Sequence, residues 1–135
     1  MNLNTPTFIL PNINELTRPW WEACREGRLL LPRCGDCGQH FFRPELACTH
    51  CFSLNWDWVE ACGRGTLYSY SEVHRAPVPG FKTPFYFAIV ELEEGPTMFS
   101  HVVGCSPEQL QIGMPLQVVF EKLTTEVTLP KFRPR

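Results

Sequence analysis

The sequence predicts a mainly β chain built from an N-terminal helix, a four-cysteine ribbon and a five-stranded barrel. Three observations carry that expectation. Four cysteines stand as two Cys-x-x-Cys pairs ten residues apart, in CGDCGQHFFRPELACTHC (34–51). Beyond residue 64 the apolar pattern takes a period of two and marks out five short strands. Thirteen prolines and nine glycines in 135 residues cut the chain into short elements joined by turns.

The segment TRPWWEACREG (17–27) reads as a short helix. Thr17 is placed to cap it, Pro19 is tolerated in the first turn, and Gly27 falls just past the end. Trp20, Ala23 and Cys24 share one face, with Trp21 beside it. Trp20 and Trp21 either cover the ribbon and the following domain or anchor a partner protein, because large aromatic rings dominate interface energetics. RLLLPRC then enters the ribbon as a strand.

Four thiolates from Cys34, Cys37, Cys48 and Cys51 suit a tetrahedral Zn²⁺ ion, each Cys-x-x-Cys knuckle supplying two sulfurs. Gly35 and Gly38 fit the first knuckle, where the backbone turns sharply and offers N–H groups to sulfur. Between the pairs, His40, Phe41 and Phe42 are expected to form a strand and a small apolar wall. Iron of the rubredoxin type takes the same geometry, so the residues alone leave the metal open between zinc and iron. A thioredoxin-like redox pair requires the motif at a helix start in a βαβ pattern, which is absent here. Four sulfurs leave no open coordination position, so the metal reads as structural, and His50 reads as a solvent-facing knuckle residue.

Cys24, Cys62 and Cys105 are scattered and bring the cysteine count to seven. An odd count with a metal cluster fits a reducing compartment better than a disulfide framework. The start MNLNTPTFILPNINEL lacks a basic segment followed by a long apolar run, and no apolar stretch approaches the roughly 20 residues that span a bilayer. The expectation is a cytoplasmic chain with no membrane partner.

The five strands are GTLYSYSEVH (65–74), FYFAIVEL (85–92), TMFSHVV (97–103), LQVVFEK (116–122) and TEVTLPKF (125–132). GCSPEQLQIGMP, between the third and fourth, reads as a turn with a single helical turn. Five strands with an excursion at that place match a small OB-type barrel, and closure protects edges this apolar. The expected division is an arm and helix over 1–28, a ribbon over 29–60, and a barrel over 61–135 ending in a basic tail, KFRPR.

Net charge is −2, so no global field draws in nucleic acid. A zinc ribbon with an OB barrel does occur in single-strand nucleic-acid binders, and Tyr68, Tyr70, Phe85, Tyr86 and Phe87 offer stacking rings. Residues 64–135, however, hold seven Lys/Arg against seven Asp/Glu, which gives no positive groove for phosphates. Nucleic acid is therefore the second reading. For catalysis, Cys62 and Cys105 are free thiols and His74 and His101 are possible bases, but none sits in a nucleophile motif. Glu93 and Glu94 read as solvated turn residues, and no Gly-rich phosphate loop follows a strand. An independent enzyme is not the expectation.

Taken together, WWEACREGRLLLPRCGDCG, GRGTLYSYSEVHRAPVPGF, VELEEGPTMFSHVVG, IGMPLQVVF and TLPKFRP resemble the small proteins that join a rubredoxin-like zinc ribbon to an OB-fold, the family of domain of unknown function 35. The resemblance covers nearly the whole chain after about residue 14, with several motifs in the same order and spacing. It implies a non-catalytic accessory subunit that accompanies a thiolase-superfamily enzyme (a thiolase, acyltransferase or aldolase), stabilises the complex and helps bind acyl-CoA. The catalytic residues then belong to the thiolase-like partner.

Acyl-CoA asks for a few cations near its phosphates and an aromatic or apolar patch. Arg75, Phe81 and Lys82 on one loop, with Lys131, Phe132 and Arg133 near the C-terminus, are the candidates for that contact. Against this stands the reading of Arg75 and Lys82 as solvated loop charges and of KFRPR as a flexible tail or docking arm. Trp20, Trp21, Phe41 and Phe42 are the candidates for the partner interface.

Overall fold

The computed structural model describes residues 10–77 and 80–135. The first nine residues of the expected N-terminal arm, and Val78 and Pro79 of the loop after the first barrel strand, lie outside the described residues. Helix α1 (Arg18–Arg25) buries Trp20, Ala23 and Cys24, the face expected from their spacing. It ends as a Schellman motif: Arg28 N–H bonds the Ala23 carbonyl at 2.9 Å, Gly27 N–H bonds Cys24 at 3.0 Å, and Gly27 takes φ +76°. At the other end Thr17 makes no side-chain cap bond. Its hydroxyl turns back to Asn14 Oδ1 at 3.1 Å, and Asn14 organises the preceding turn instead.

The ribbon is a two-stranded antiparallel sheet of β1 (Leu30–Cys34) and β2 (Trp56–Glu60). The expected strand around His40 is reduced to one bridge, Arg33 to His40. The partner of β1 is β2, whose Trp56-Asp57-Trp58 alternation went unassigned in the sequence reading. Phe41 leaves the sheet direction to fill the ribbon interior.

The barrel strands are β3 (Arg64–Val73), β4 (Phe85–Leu92), β5 (Thr97–Val102), β6 (Pro115–Lys122) and β7 (Thr128–Pro134), with a single 3₁₀ turn at Pro107–Gln109 between β5 and β6. They close in the order β3-β4-β5-β7-β6, and β6 returns to β3. Only β5 and β7 run parallel, through Val102 and Phe132. Numbered within the barrel this is the 1-2-3-5-4 order of an OB-fold. Alternation along each strand sends Leu67, Ala88, Val90, Met98, Val102, Leu116 and Phe132 inward. Among the described residues no helix is long and apolar enough to cross a membrane.

Two expectations about the C-terminus are corrected. The basic segment is no tail, because residues 128–134 form β7 and pair with β6 from Lys122–Thr128 to Leu116–Pro134. Within it Phe132 is 0% exposed, so it serves the core and cannot touch a ligand at the surface.

Ribbon and barrel share that core. Trp20, Cys24, Leu29, Leu31 and Ala61 join the barrel's interior in one buried cluster. The joint between them is tightly bonded. Ala61 N–H donates to Leu29 O at 2.8 Å, Cys62 N–H to Glu94 Oε2 at 2.8 Å, and Val118 N–H to Gly63 O at 2.8 Å. Gly63 has φ +79°, and a Cβ there would stand 2.5 Å from Val118 Cγ1, so no other residue fits. Glu94, expected as a solvated turn residue, is instead a tether for this joint.

Truncation of Phe132 to alanine should destabilise the protein by about 3–5 kcal/mol. Arg133→Ala, one residue on and exposed, should stay within about 0.5 kcal/mol. Urea unfolding of the two variants checks both, and equal midpoints would contradict the core placement.

Candidate metal centre and barrel clefts

The ligand atoms of Cys34, Cys37, Cys48 and Cys51 all lie within 4.8 Å of one another. Cys34 and Cys51 sulfurs are 3.5 Å apart, and those of Cys37 and Cys48 are 3.6 Å apart. Zinc–sulfur bonds of about 2.3 Å at tetrahedral angles require sulfurs roughly 3.8 Å apart, so the four atoms fit the ion. The knuckles supply the expected N–H donors. Asp36 and Cys37 N–H groups bond the Cys34 sulfur at 3.4 Å, and His50 N–H bonds the Cys48 sulfur at 3.3 Å. Donation from the Cys37 N–H, opposed by burial, draws the Cys34 thiol down to about 6. On Cys51 the Ser53 N–H pulls downward, but the crowding sulfurs led by Cys34 win and push it up to about 12. His50 is exposed between its two ligand neighbours, as expected.

Hydrogen bonds stitch the two knuckles together. The Asp36 carboxylate accepts from the Ser53 hydroxyl and from Asn55 Nδ2, and these two donors hold its proton affinity below the usual carboxylate range. Gly35 N–H donates to Asn55 O at 2.7 Å, and a Cβ on Gly35 would meet Asn55 Nδ2 at 2.9 Å. The role of Gly35 is therefore close approach of the two knuckles. Phe41, 1% exposed, packs edge-on against Trp56 at 5.7 Å. It is a ribbon core residue and not a surface anchor, which corrects the interface expectation for it.

The other interface candidates gather at one place. Trp20 is buried and meets Trp21 edge-on at 4.7 Å and Phe42 at 6.0 Å. The indole N–H of Trp20 has no acceptor among the described residues. Trp21 and Phe42 are half-buried. All three line a cleft of about 250 Å³ with Phe87, Met98 and Phe99 of β4 and β5. Phe99 is 65% exposed and lies 5.4 Å from Phe87.

A second cleft of about 400 Å³ is lined by Phe81 and Lys82 from the β3–β4 loop, by Phe85 and His101, and by Glu121 and Lys131. Of the expected acyl-CoA residues it brings together Phe81, Lys82 and Lys131. Lys131 is only 12% exposed and is held by Glu121 at 2.7 Å. Arg75 and Arg133 are exposed on the loop and on β7. His101, which the sequence offers only as a possible base, belongs to this cleft. Its ring stacks on Phe85 at 4.5 Å and meets Phe81 at 5.3 Å, and burial, aided by the Lys131 charge, lowers its proton affinity.

Of the remaining thiols, Cys24 is pushed up to about 12 by burial, and burial also raises Cys105. Cys62 lies 3.4 Å from the Glu93 carboxylate.

Removal of the metal should unfold the ribbon, since a structural zinc contributes about 10–16 kcal/mol in peptide models. Binding requires thiolates and releases protons, so occupancy should fall as pH falls. The checks are one zinc per chain by elemental analysis, release to a chromophoric chelator on acidification, and loss of the near-ultraviolet signal of Trp56. A chelated protein that keeps that signal and its melting temperature would overturn the structural role.

Residues 21–57 match the model of the ChsH2 rubredoxin-like zinc ribbon domain, and residues 58–121 match that of the ChsH2 C-terminal OB-fold domain. The metal left open between zinc and iron is accordingly zinc. A probable enoyl-CoA hydratase alpha subunit of Thermomonospora curvata is 41% identical over 92% of this chain, which spans only 39% of that protein's length. A DUF35 domain-containing scaffold protein of Methanocaldococcus jannaschii is 34% identical over 80% of this chain and 78% of its own length. The benzoylsuccinyl-CoA thiolase subunit BbsA of Geobacter metallireducens is 34% identical over 73% of this chain and 63% of its own. Among solved structures, a chain of the Ltp2-ChsH2(DUF35) aldolase superposes with a TM-score of 0.84 at 41% identity, covering 93% of this chain and 98% of that one. The chain belongs to the DUF35 family, with its zinc-ribbon and OB-fold domains of the ChsH2 type.

Proposed function

We propose that this chain is a non-catalytic accessory subunit of a thiolase-superfamily enzyme, which it stabilises and helps to bind acyl-CoA. The observation that carries the reading is likeness along most of the chain to BbsA, a subunit of a CoA-thioester thiolase, and to a chain of the Ltp2-ChsH2(DUF35) aldolase. The Thermomonospora relative is likewise named for a CoA thioester reaction. Chemistry within the chain agrees with a supporting role. Its four clustered thiols suit a saturated metal, and Cys24 and Cys105 are raised thiols, poor nucleophiles near neutral pH.

The acyl-CoA part of the reading is supported by the cleft beside the β3–β4 loop. It offers stacking rings in Phe81 and Phe85, an exposed ammonium in Lys82, and the His101 imidazole. The same surface argues against single-stranded nucleic acid. Exposed rings exist at Tyr68, Tyr70, Phe87 and Phe99, but Lys131 is paired with Glu121 and residues 64–135 balance seven Lys/Arg with seven Asp/Glu, a poor source of backbone-phosphate contacts.

Co-expression with a thiolase-like subunit should yield a stable complex, with acyl-CoA turnover confined to preparations that contain the partner. Turnover by this chain alone would overturn the assignment. Replacing Arg75 and Lys82 together by alanine should weaken CoA-ester binding to the complex several-fold while leaving assembly intact, as read by calorimetry and gel filtration. Tight binding of oligonucleotides at physiological salt would favour the nucleic-acid reading instead.

A further inference from the structure

His101 stands where the two clefts meet. With Phe81 and Lys131 it lines both the cleft beside the β3–β4 loop and the cleft beside α1. The two sides differ in chemistry. On the loop side is the exposed ammonium of Lys82, whereas Lys131 is engaged by Glu121. On the helix side Trp21, Phe42, Met98 and Phe99 form an apolar wall. Between them the His101 imidazole stacks on Phe85 and meets Phe81 edge-on. Burial, then the Lys131 charge, favours its neutral form, which presents one N–H donor and one acceptor nitrogen.

The order across this face is cation, neutral hydrogen-bonding ring, apolar wall. An acyl-CoA thioester has the same order along its length: phosphates, a neutral amide arm, and the acyl group. We infer that the thioester crosses the face at His101, with its phosphate-bearing end toward Lys82, its amide arm against the imidazole, and its acyl group in the Trp21–Phe42–Phe99 cleft. The opposite orientation would bring phosphates into a cleft whose own ammonium, Lys131, is already paired, the exposed Arg43 lining the adjoining clefts and not this one, and burying anions without partners is costly. His101 is thus a positioning residue for the arm, and Phe99 a specificity residue for the acyl group. This assignment rests on the acyl-CoA role proposed above.

Titration of the full zinc-loaded chain with 3′,5′-ADP, pantetheine, CoA and a medium-chain acyl-CoA separates the parts. His101→Phe keeps the stack but loses the hydrogen bonds, and should weaken pantetheine and CoA about tenfold while leaving 3′,5′-ADP unchanged. His101→Gln should restore most of that loss. Phe99→Ala, at a position 65% exposed and therefore tolerant of truncation, should weaken acyl-CoA by several-fold and leave CoA as it is. Lys82→Ala should weaken 3′,5′-ADP. Loss of 3′,5′-ADP binding in Phe99→Ala, with acyl-CoA discrimination kept, would reverse the orientation and overturn the inference. CoA binding indifferent to both His101 substitutions would remove His101 from the site while leaving the accessory role standing. Failure of every probe to bind the wild-type chain, both alone and in complex with the thiolase-like subunit, would instead overturn the acyl-CoA reading on which the inference depends.

Discussion

Ribbon and barrel are fastened at residues 61–64, where three backbone N–H groups and one carboxylate close a joint over a shared apolar core. Leu29 and Leu31 precede the first ligand cysteine, yet they are buried with Val90 and Leu116 of the barrel. A linker of this length with free backbone groups would let two small units rotate. Here Gly63 presses against Val118, Glu94 holds the Cys62 N–H, and Arg64 meets Glu93 at 3.4 Å. The side-chain pairs at this joint are exposed and weak singly. Their consequence is geometric: α1 is set against β7 and β6, and the aromatic cleft that Trp20 and Trp21 line with Met98 and Phe99 has a defined shape.

Two different physical sources hold the two ends of the ribbon. Its barrel-proximal half, with α1 and Leu29–Leu31, is stabilised by apolar burial in the common core. Its distal half has a core of only Cys34, Phe41 and Cys48 with Trp56 against them. A cluster of that size cannot offset the ordering of the knuckle backbones, at about 1–2 kcal/mol per residue. The metal supplies the difference, and the Asp36–Ser53–Asn55 network sets the direction of the knuckles. Phe42 follows directly on Phe41, so the zinc centre reaches the barrel clefts through two adjacent rings: one seals the ribbon, the next meets Trp20.

Much of this was legible in the sequence because it is local. Period two located all five barrel strands, period 3.6 gave the buried face of α1, and ligand spacing gave the metal set. The misses share a cause. β2 was overlooked although Trp56-Asp57-Trp58 alternates, because its pairing with β1 spans the whole metal loop. Period two ends the last strand at Phe132 and leaves its inward or outward face open at that terminus; with β7 running on to Pro134, alternation puts Lys131 outside and Phe132 inside. Glu94 and His101 owe their roles to cross-strand neighbours, Cys62 in one case and Phe85 in the other. No local pattern announces such contacts.

The charge pattern of the barrel face bears on how an accessory subunit contributes to binding without doing chemistry. A surface that recognised CoA through many free cations would attract any polyanion, nucleic acid included. This face pairs Lys131 with Glu121 and presents rings from the loop, from β4 and β5, and from α1, on which the proposed CoA contact would rely. Stacking and shape discriminate by fit, and they weaken little with salt. The cost is that a half-open aromatic surface is incomplete alone: Phe99 and Phe87 remain partly in water on one side. A second protein wall over that side would finish the desolvation and raise the worth of each polar contact beneath it. Under the proposed accessory role, affinity for the thioester and affinity for the partner are therefore coupled, each closing the surface that the other requires.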